Sequence, residues 1–169
     1  MVTRAGIALG SNLGNRLANI SQARDMLCKL MPEPHTHLQA PVFGSTPVDC
    51  PPDSPDFLNT VIEIAYPGAV LELLQQTQKI ESDLGRASSY AKNAPRPIDL
   101  DILYFGDTCI ESDVLIIPHP GIASRRFVLE PLGHIRPELM LPGKTATVID
   151  LLHHLDSEEP PLTLIESDW

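Results

Sequence analysis

The sequence predicts an α+β fold, a mainly antiparallel sheet packed by helices. Three observations predict it. Apolar patterns of period 2 and period 3.6 alternate irregularly along the chain, without a strict strand–helix–strand repeat. Several strand patterns follow one another like hairpin neighbours, which a doubly wound parallel sheet does not allow. The 169 residues hold no repeat, no low-complexity segment and no linker, so the expectation is a single domain over 1–169 with a real core.

The elements follow in order. "RAGIAL" reads as a short buried strand ended by "GSNLGN". Asn15 can then cap a helix whose apolar positions include Leu17, Ile20, Leu27 and Leu30, and Pro32 and Pro34 stop it. "HTHLQAPVF" is a weak strand. "STPVDCPPDSPD" is crowded with prolines and reads as extended loop. In "FLNTVIEIA", Leu58, Thr60, Ile62 and Ile64 share one face, and Phe57, Asn59, Val61 and Glu63 the other. "PGAVLELLQQTQKIESDLG" is an amphipathic helix with Val70, Leu73, Leu74, Thr77, Ile80 and Leu84 on its stripe and Gly85 just past its end. The polar loop "RASSYAKNAP" leads into the strand of "PRPIDLDILYFGD". "DVLIIPHPGIASRRFVLEPLG" holds a short strand, a proline-fixed turn at His119 and a short helix capped by Ser124. "TATVIDLLHHL" is a helix with Thr147 at its cap; the acidic tail gives no clear pattern.

Composition excludes several function classes. A formal net charge of −10 argues against a sequence-independent nucleic-acid binder. Six basic residues, Lys79, Arg86, Lys92, Arg96, Arg125 and Arg126, nevertheless fall in one stretch of the chain, which suits a small anionic ligand. Cys28, Cys50 and Cys109 form neither a CxxC nor an even set, so a reducing compartment is expected. No apolar run reaches membrane-spanning length, and the N-terminal run is too short for a signal peptide. A cytoplasmic protein with no membrane and no nucleic-acid partner is expected.

The strand Ile98–Phe105 carries the chemistry. Alternation puts Ile98, Leu100, Ile102 and Tyr104 on one face and Asp99, Asp101, Leu103 and Phe105 on the other. Two neighbouring carboxylates on a half-buried surface require a positive partner. One reading is a magnesium pair that bridges phosphates. The other is pairing with Arg96 and a neighbour. Arg96 lies between Pro95 and Pro97, extended and rigid, suited to a phosphate fork. His119, between two prolines, reads as a phosphate donor or a turn cap. Arg125 and Arg126 stand at a helix start that favours anions. Phe57 and Phe127 suit a flat heterocycle or the core. Neither GxGxxG nor GxxxxGK[ST] occurs.

Taken together, "IALGSNLGNR", "STP…DFLNTV", "TQKIESDLGR", "PRPIDLDILYFGD" and "IPHPGIASRRFVLEPL" resemble, in order and spacing, the 6-hydroxymethyl-7,8-dihydropterin pyrophosphokinase family of folate biosynthesis. The resemblance implies a ferredoxin-like α+β sandwich and transfer of pyrophosphate from ATP to the pterin hydroxymethyl group, with AMP leaving. It implies that Asp99 and Asp101 hold two Mg ions and that Asp101 helps to deprotonate the hydroxyl. Arg86 and Arg96 join them as catalytic positions. Gln78, Glu81, Arg86, Arg96, His119 and Arg125 match positions around ATP. Thr46, Pro47, Phe57, Asn59 and Phe127 match positions around the pterin. ATP and the hydroxymethyl-dihydropterin are the expected partners, bound by a monomer. The chain departs from the family pattern at Ser88, Lys92 and Val114, where arginines are usual, at Asn93, a tryptophan position, and at Phe57, a tyrosine position. Two rivals are a pyrophosphokinase for a related pterin alcohol and a non-catalytic pterin or nucleotide sensor.

Overall fold

The computed structural model describes residues 1–33, 35–47, 50–86 and 94–169. Most of the polar loop expected between Arg86 and Pro95, including Ser88, Lys92 and Asn93, lies outside the described residues. The elements run β1 (Thr3–Ser11), α1 (Arg16–Cys28), β2 (Leu38–Gln39), β3 (Val42–Ser45), β4 (Phe57–Tyr66), α2 (Val70–Asp83), β5 (Asp99–Phe105), β6 (Ile110–Glu111), β7 (Ile116–Ile117), α3 (Arg126–Ile135), α4 (Val148–His153) and β8 (Thr163–Glu166).

The main sheet has the order β5-β1-β4-β3-β8, with β2 also on β4, and its strand pairs are antiparallel. With β2 and β8 set aside, β1-α1-β3-β4-α2-β5 is the split βαβ pair of a ferredoxin-like sandwich. Each helix forms for a local reason. The Asn15 side chain accepts the Ala18 N–H at the start of α1. Glu72 accepts the Ala69 N–H at the start of α2. Thr147 and Asp150 cap α4 reciprocally.

Every residue of β4 is buried, because helices cover both faces of the sheet centre. Ile7, Leu9, Ile62 and Ile64 pack with Ile20 and Leu27 of α1 and Leu73 and Ile80 of α2. Val61, Leu103 and Tyr104 pack on the other face with Val128, Leu129 and Leu132 of α3 and Val148 of α4. Truncating Ile62 or Leu129 to alanine should each cost about 2–5 kcal/mol. The second layer matters for function, because α3 closes over the sheet face that carries the acids.

Four expectations are corrected. Tyr104 does not share a face with Ile98, Leu100 and Ile102. A register shift in β5 pairs Ile7 with Ile102 and Gly6 with Tyr104, leaving Leu103 as the extra residue. The bulge turns Tyr104 onto the acid face and Phe105 onto the Ile102 side. Ser124 is not the helix cap: it ends a 3-10 turn, Ile122–Ser124, and Arg125 takes the N-cap position of α3. The weak strand "HTHLQAPVF" divides at Ala40–Pro41 into β2 and β3. The tail supplies β8, an edge strand on β3.

Candidate active site

Register alone assembles the site. Directly opposed residues in an antiparallel ladder share a face. On the α3 side of the sheet this gives three rows: Asn59–Gly10–Asp99, Val61–Ala8–Asp101 and Glu63–Gly6–Tyr104. Asn59 and Asp99 therefore flank a residue with no side chain. A Cβ on Gly10 would press on Asn59 Oδ1 at 3.1 Å and meet the Phe57 ring at 3.6 Å. Gly10 is the floor of the site, and its neighbours form the walls.

Arg96 is placed by its backbone. Its N–H donates to Asn12 Oδ1 at 2.8 Å, and its carbonyl accepts the Asn12 N–H at 3.2 Å. Asn12 is buried just past β1, so the prolines on either side of Arg96 and this reciprocal pair fix the guanidinium over the sheet. Its Nη2 donates to Asp99 Oδ2 at 2.9 Å, and it lies 5.3 Å from the centroid of the Phe57 ring.

Arg86 is placed by the end of α2. Gly85 has φ +93°, which lets the Gly85 N–H reach Ser82 O and the Arg86 N–H reach Glu81 O. That turn sets the Arg86 side chain beside Glu81. Its Nη1 donates to Glu81 Oε1 at 2.6 Å and to Asp99 Oδ1 at 2.5 Å. Glu81 also accepts the Leu100 N–H at 2.7 Å, so it ties α2 to the acid strand.

The two aspartates thus differ. Asp99 is held by two guanidinium groups. Among the described residues, no hydrogen bond or ion pair reaches the Asp101 side chain. Burial, then repulsion from Asp99, raises the Asp101 pKa to about 6 against the pull of Arg125. Burial raises Glu81 to about 7.

A cavity of about 320 Å3 opens over the first two rows. Thr46, Phe57, Asn59, Arg96, Asp99, Asp101, Arg125 and Phe127 all line it. Phe127 comes from the first turn of α3, with the Arg125 guanidinium 5.8 Å from its ring centroid. The Asn59 amide donates to Ser45 Oγ at 2.5 Å, which leaves Oδ1 over the Gly10 floor. Pro47 is half-buried beside Thr46. His119 is anchored by its N–H on Leu103 O at 2.8 Å and accepts the Gly121 N–H on Nδ1 at 3.0 Å. Burial, then the charge of Arg125, lowers its pKa. It lines a second, more open cavity beneath the β6–β7 hairpin. Gln78 is exposed on α2, away from the first cavity. Sequence reading missed Gly10, Ser45 and Cys50 as wall and floor. Only Gly10 carried a signal, its place opposite both the Asn59 and the Asp99 strands.

The donor set is hard oxygen. Two carboxylates on one sheet face, one without an ion pair among the described residues, suit magnesium, which takes one or two carboxylates and completes its shell with water and phosphate oxygens. Among the described residues, no group of three or more His, Cys, Asp or Glu side chains could hold a metal by itself.

Comparison with known proteins identifies the family of the chain. A family model described as 7,8-dihydro-6-hydroxymethylpterin-pyrophosphokinase matches residues 6–137. The 2-amino-4-hydroxy-6-hydroxymethyldihydropteridine pyrophosphokinase of Pseudomonas aeruginosa is 38% identical over 84% of this chain and 86% of its own length. That of Bacillus subtilis is 40% identical over 78% of this chain and 77% of its own. The folic acid synthesis protein fol1 of Schizosaccharomyces pombe is 37% identical over 91% of this chain, and the chain spans only 21% of that longer protein. The wild-type HPPK-DHPS of Plasmodium falciparum, solved with pterin and p-hydroxybenzoate, shares the fold, with a TM-score of 0.68, 14% identity and coverage of 90% of this chain and 42% of that one. The match over residues 6–137 and the two bacterial relatives together show that this chain belongs to the 7,8-dihydro-6-hydroxymethylpterin-pyrophosphokinase family.

Proposed function

We propose that this chain transfers the β,γ-pyrophosphoryl group of ATP to the hydroxymethyl oxygen of 6-hydroxymethyl-7,8-dihydropterin, a step of folate biosynthesis. The observation that supports it best is the row Asn59–Gly10–Asp99, which sets a polar pterin-edge group and an arginine-held carboxylate on either side of one glycine floor.

The pterin ring lies between Phe57 and Phe127, with Asn59 on its edge and Thr46 and Pro47 beside it. ATP lies toward Arg86, Arg96, Arg125 and His119, with Glu81 and Gln78 on the nucleotide side. Asp99 and Asp101 would hold magnesium, two ions by family resemblance, which when bound neutralises polyphosphate charge. An Asp101 oxygen accepts the hydroxyl proton. The hydroxymethyl oxygen bonds to the β-phosphorus, the bond from that phosphorus to the α–β bridging oxygen breaks, and AMP leaves. The guanidinium groups are fixed before ligand arrives, so they stabilise the charge that builds up without reorganising. The sheet supplies proximity: Asn59 on the acceptor side and Asp99 on the donor side share one row across Gly10.

No helix among the described residues is long and apolar enough to cross a membrane. The odd number and wide spacing of Cys28, Cys50 and Cys109 fit a reducing, cytoplasmic setting. The chain is read as a monomeric single domain. Incubation with ATP, magnesium and the hydroxymethyl pterin tests the function. AMP released only when the pterin is present supports it; no nucleotide turnover rejects it.

A further inference from the structure

The third row of the site face holds a buried charge that the transfer reaction does not use. Glu63 is 1% exposed. It accepts the Tyr104 hydroxyl at 2.6 Å and a two-pronged Arg136 guanidinium, Nε at 2.8 Å and Nη2 at 2.6 Å. Arg4 stands 3.7 Å away. Burial, then the Glu63 charge, pushes the Tyr104 hydroxyl above its usual pKa, so it stays a donor.

Stability alone is a weak reason for such a cluster. Desolvating a carboxylate can cost more than its pairing returns, and well-packed apolar residues of similar volume often serve stability equally well. What the cluster does have is position. Glu63 belongs to β4, which supplies Phe57 and Asn59. Tyr104 belongs to β5, just past the Leu103 bulge and three residues after Asp101. Arg136 is the C-cap of α3, whose other end carries Arg125 and Phe127. The cluster therefore joins three of the elements that line the cavity, β4, β5 and α3. Gly6 makes room for it, since a Cβ there would overlap the Tyr104 ring. The β5 register is at stake, because a one-residue slip would turn Asp99 and Asp101 to the opposite face.

We propose that Glu63 is a positioning residue for pyrophosphate transfer. Through Tyr104 it holds the bulged register that aims the two aspartates, and through Arg136 it sets the seat of α3 over them. This rests on the function proposed above.

The test separates position from stability. A triple variant, Glu63→Leu with Tyr104→Phe and Arg136→Met, replaces the cluster with apolar groups of similar size. It should melt at or above the wild-type temperature and lose at least tenfold in kcat/KM. Wild-type turnover in the folded triple variant would overturn the proposal. If the triple variant does not fold, Tyr104→Phe alone decides, since it removes one hydroxyl and keeps the ring. It should lower kcat several-fold with KM for ATP unchanged, and an unchanged kcat overturns the proposal. Amide exchange gives a readout independent of activity. In Tyr104→Phe, residues 99–101 should exchange faster while α1 amides stay as in wild type; equal exchange in both segments counts against positioning. If the wild type makes no AMP, the functional reading fails and the exchange arm still tests the cluster.

Discussion

Asp99 and Asp101 leave the same face of β5 two residues apart, yet among the described residues only Asp99 has an ion pair, with Arg86 at 2.5 Å and Arg96 at 2.9 Å. The two carboxylates should therefore behave alike in catalysis and oppositely in stability. Asp99→Asn and Asp101→Asn should each lower the rate about 100-fold or more, since each removes a charge that orders the phosphates. Asp99→Asn should also destabilise the ligand-free protein by about 1–3 kcal/mol, because it removes the charge that pairs with Arg96 and with Arg86, which keeps only Glu81. Asp101→Asn should leave its stability unchanged or raise it. Thermal melts and turnover on both variants check this; equal melting shifts would contradict the asymmetry.

The same asymmetry gives a pH dependence. The Asp101 pKa rises from 3.8 to about 6 on folding, so the folded state binds more protons in that interval. Its contribution to stability is full below the unfolded value and is lost as pH rises through about 6. Glu81 acts in the same direction up to about 7. The melting temperature of Asp101→Asn relative to wild type should climb between about pH 4 and pH 6.5 without ligand and level off above that. A gap that is constant across this range would show that burial does not penalise the Asp101 charge.

The pterin edge offers a selective test. Asn59 is buried and its amide is held by Ser45, so Asn59→Ala should weaken pterin binding about tenfold, matching the roughly 1–3 kcal/mol of an unpaired polar group. Phe57→Tyr keeps the ring and should be near neutral. Calorimetry with the pterin and with an ATP analogue checks that the nucleotide site is spared. Normal pterin affinity in both Asn59→Ala and Phe127→Ala would move the pocket elsewhere.

Much of this site was legible in the chain because β alternation is local. Asp99 with Asp101 and Phe57 with Asn59 follow from period 2, and the helix before Gly85 follows from its apolar stripe. The bulge at Leu103 was not legible, since nothing in "DILYF" marks an extra residue. Glu63 was placed on the Phe57 face but not recognised as a buried charge. Its main partner, Arg136, lies 73 residues away and is brought there by α3. The Ser124 cap failed because a 3-10 turn intervened before the helix. Gln78 and His119 came from the family resemblance, since strand periodicity carries no signal for them.

Gly85 links backbone conformation to the site. At φ +93° an alanine is strained, and Gly85→Ala should cost about 1 kcal/mol or more. Its larger effect should be on Arg86, which that turn delivers to Glu81 and Asp99. KM for ATP should rise several-fold while pterin affinity stays close to wild type. Unchanged KM for ATP would show that Arg86 reaches Asp99 without the turn.

The central claim is that attack falls on the β-phosphorus. ATP labelled at that atom tests it most directly, in the presence of magnesium and the hydroxymethyl pterin. Pyrophosphate transfer moves the label onto the pterin and leaves unlabelled AMP. Label retained in ADP, with a pterin monophosphate as the other product, would contradict the account and make this an ordinary kinase.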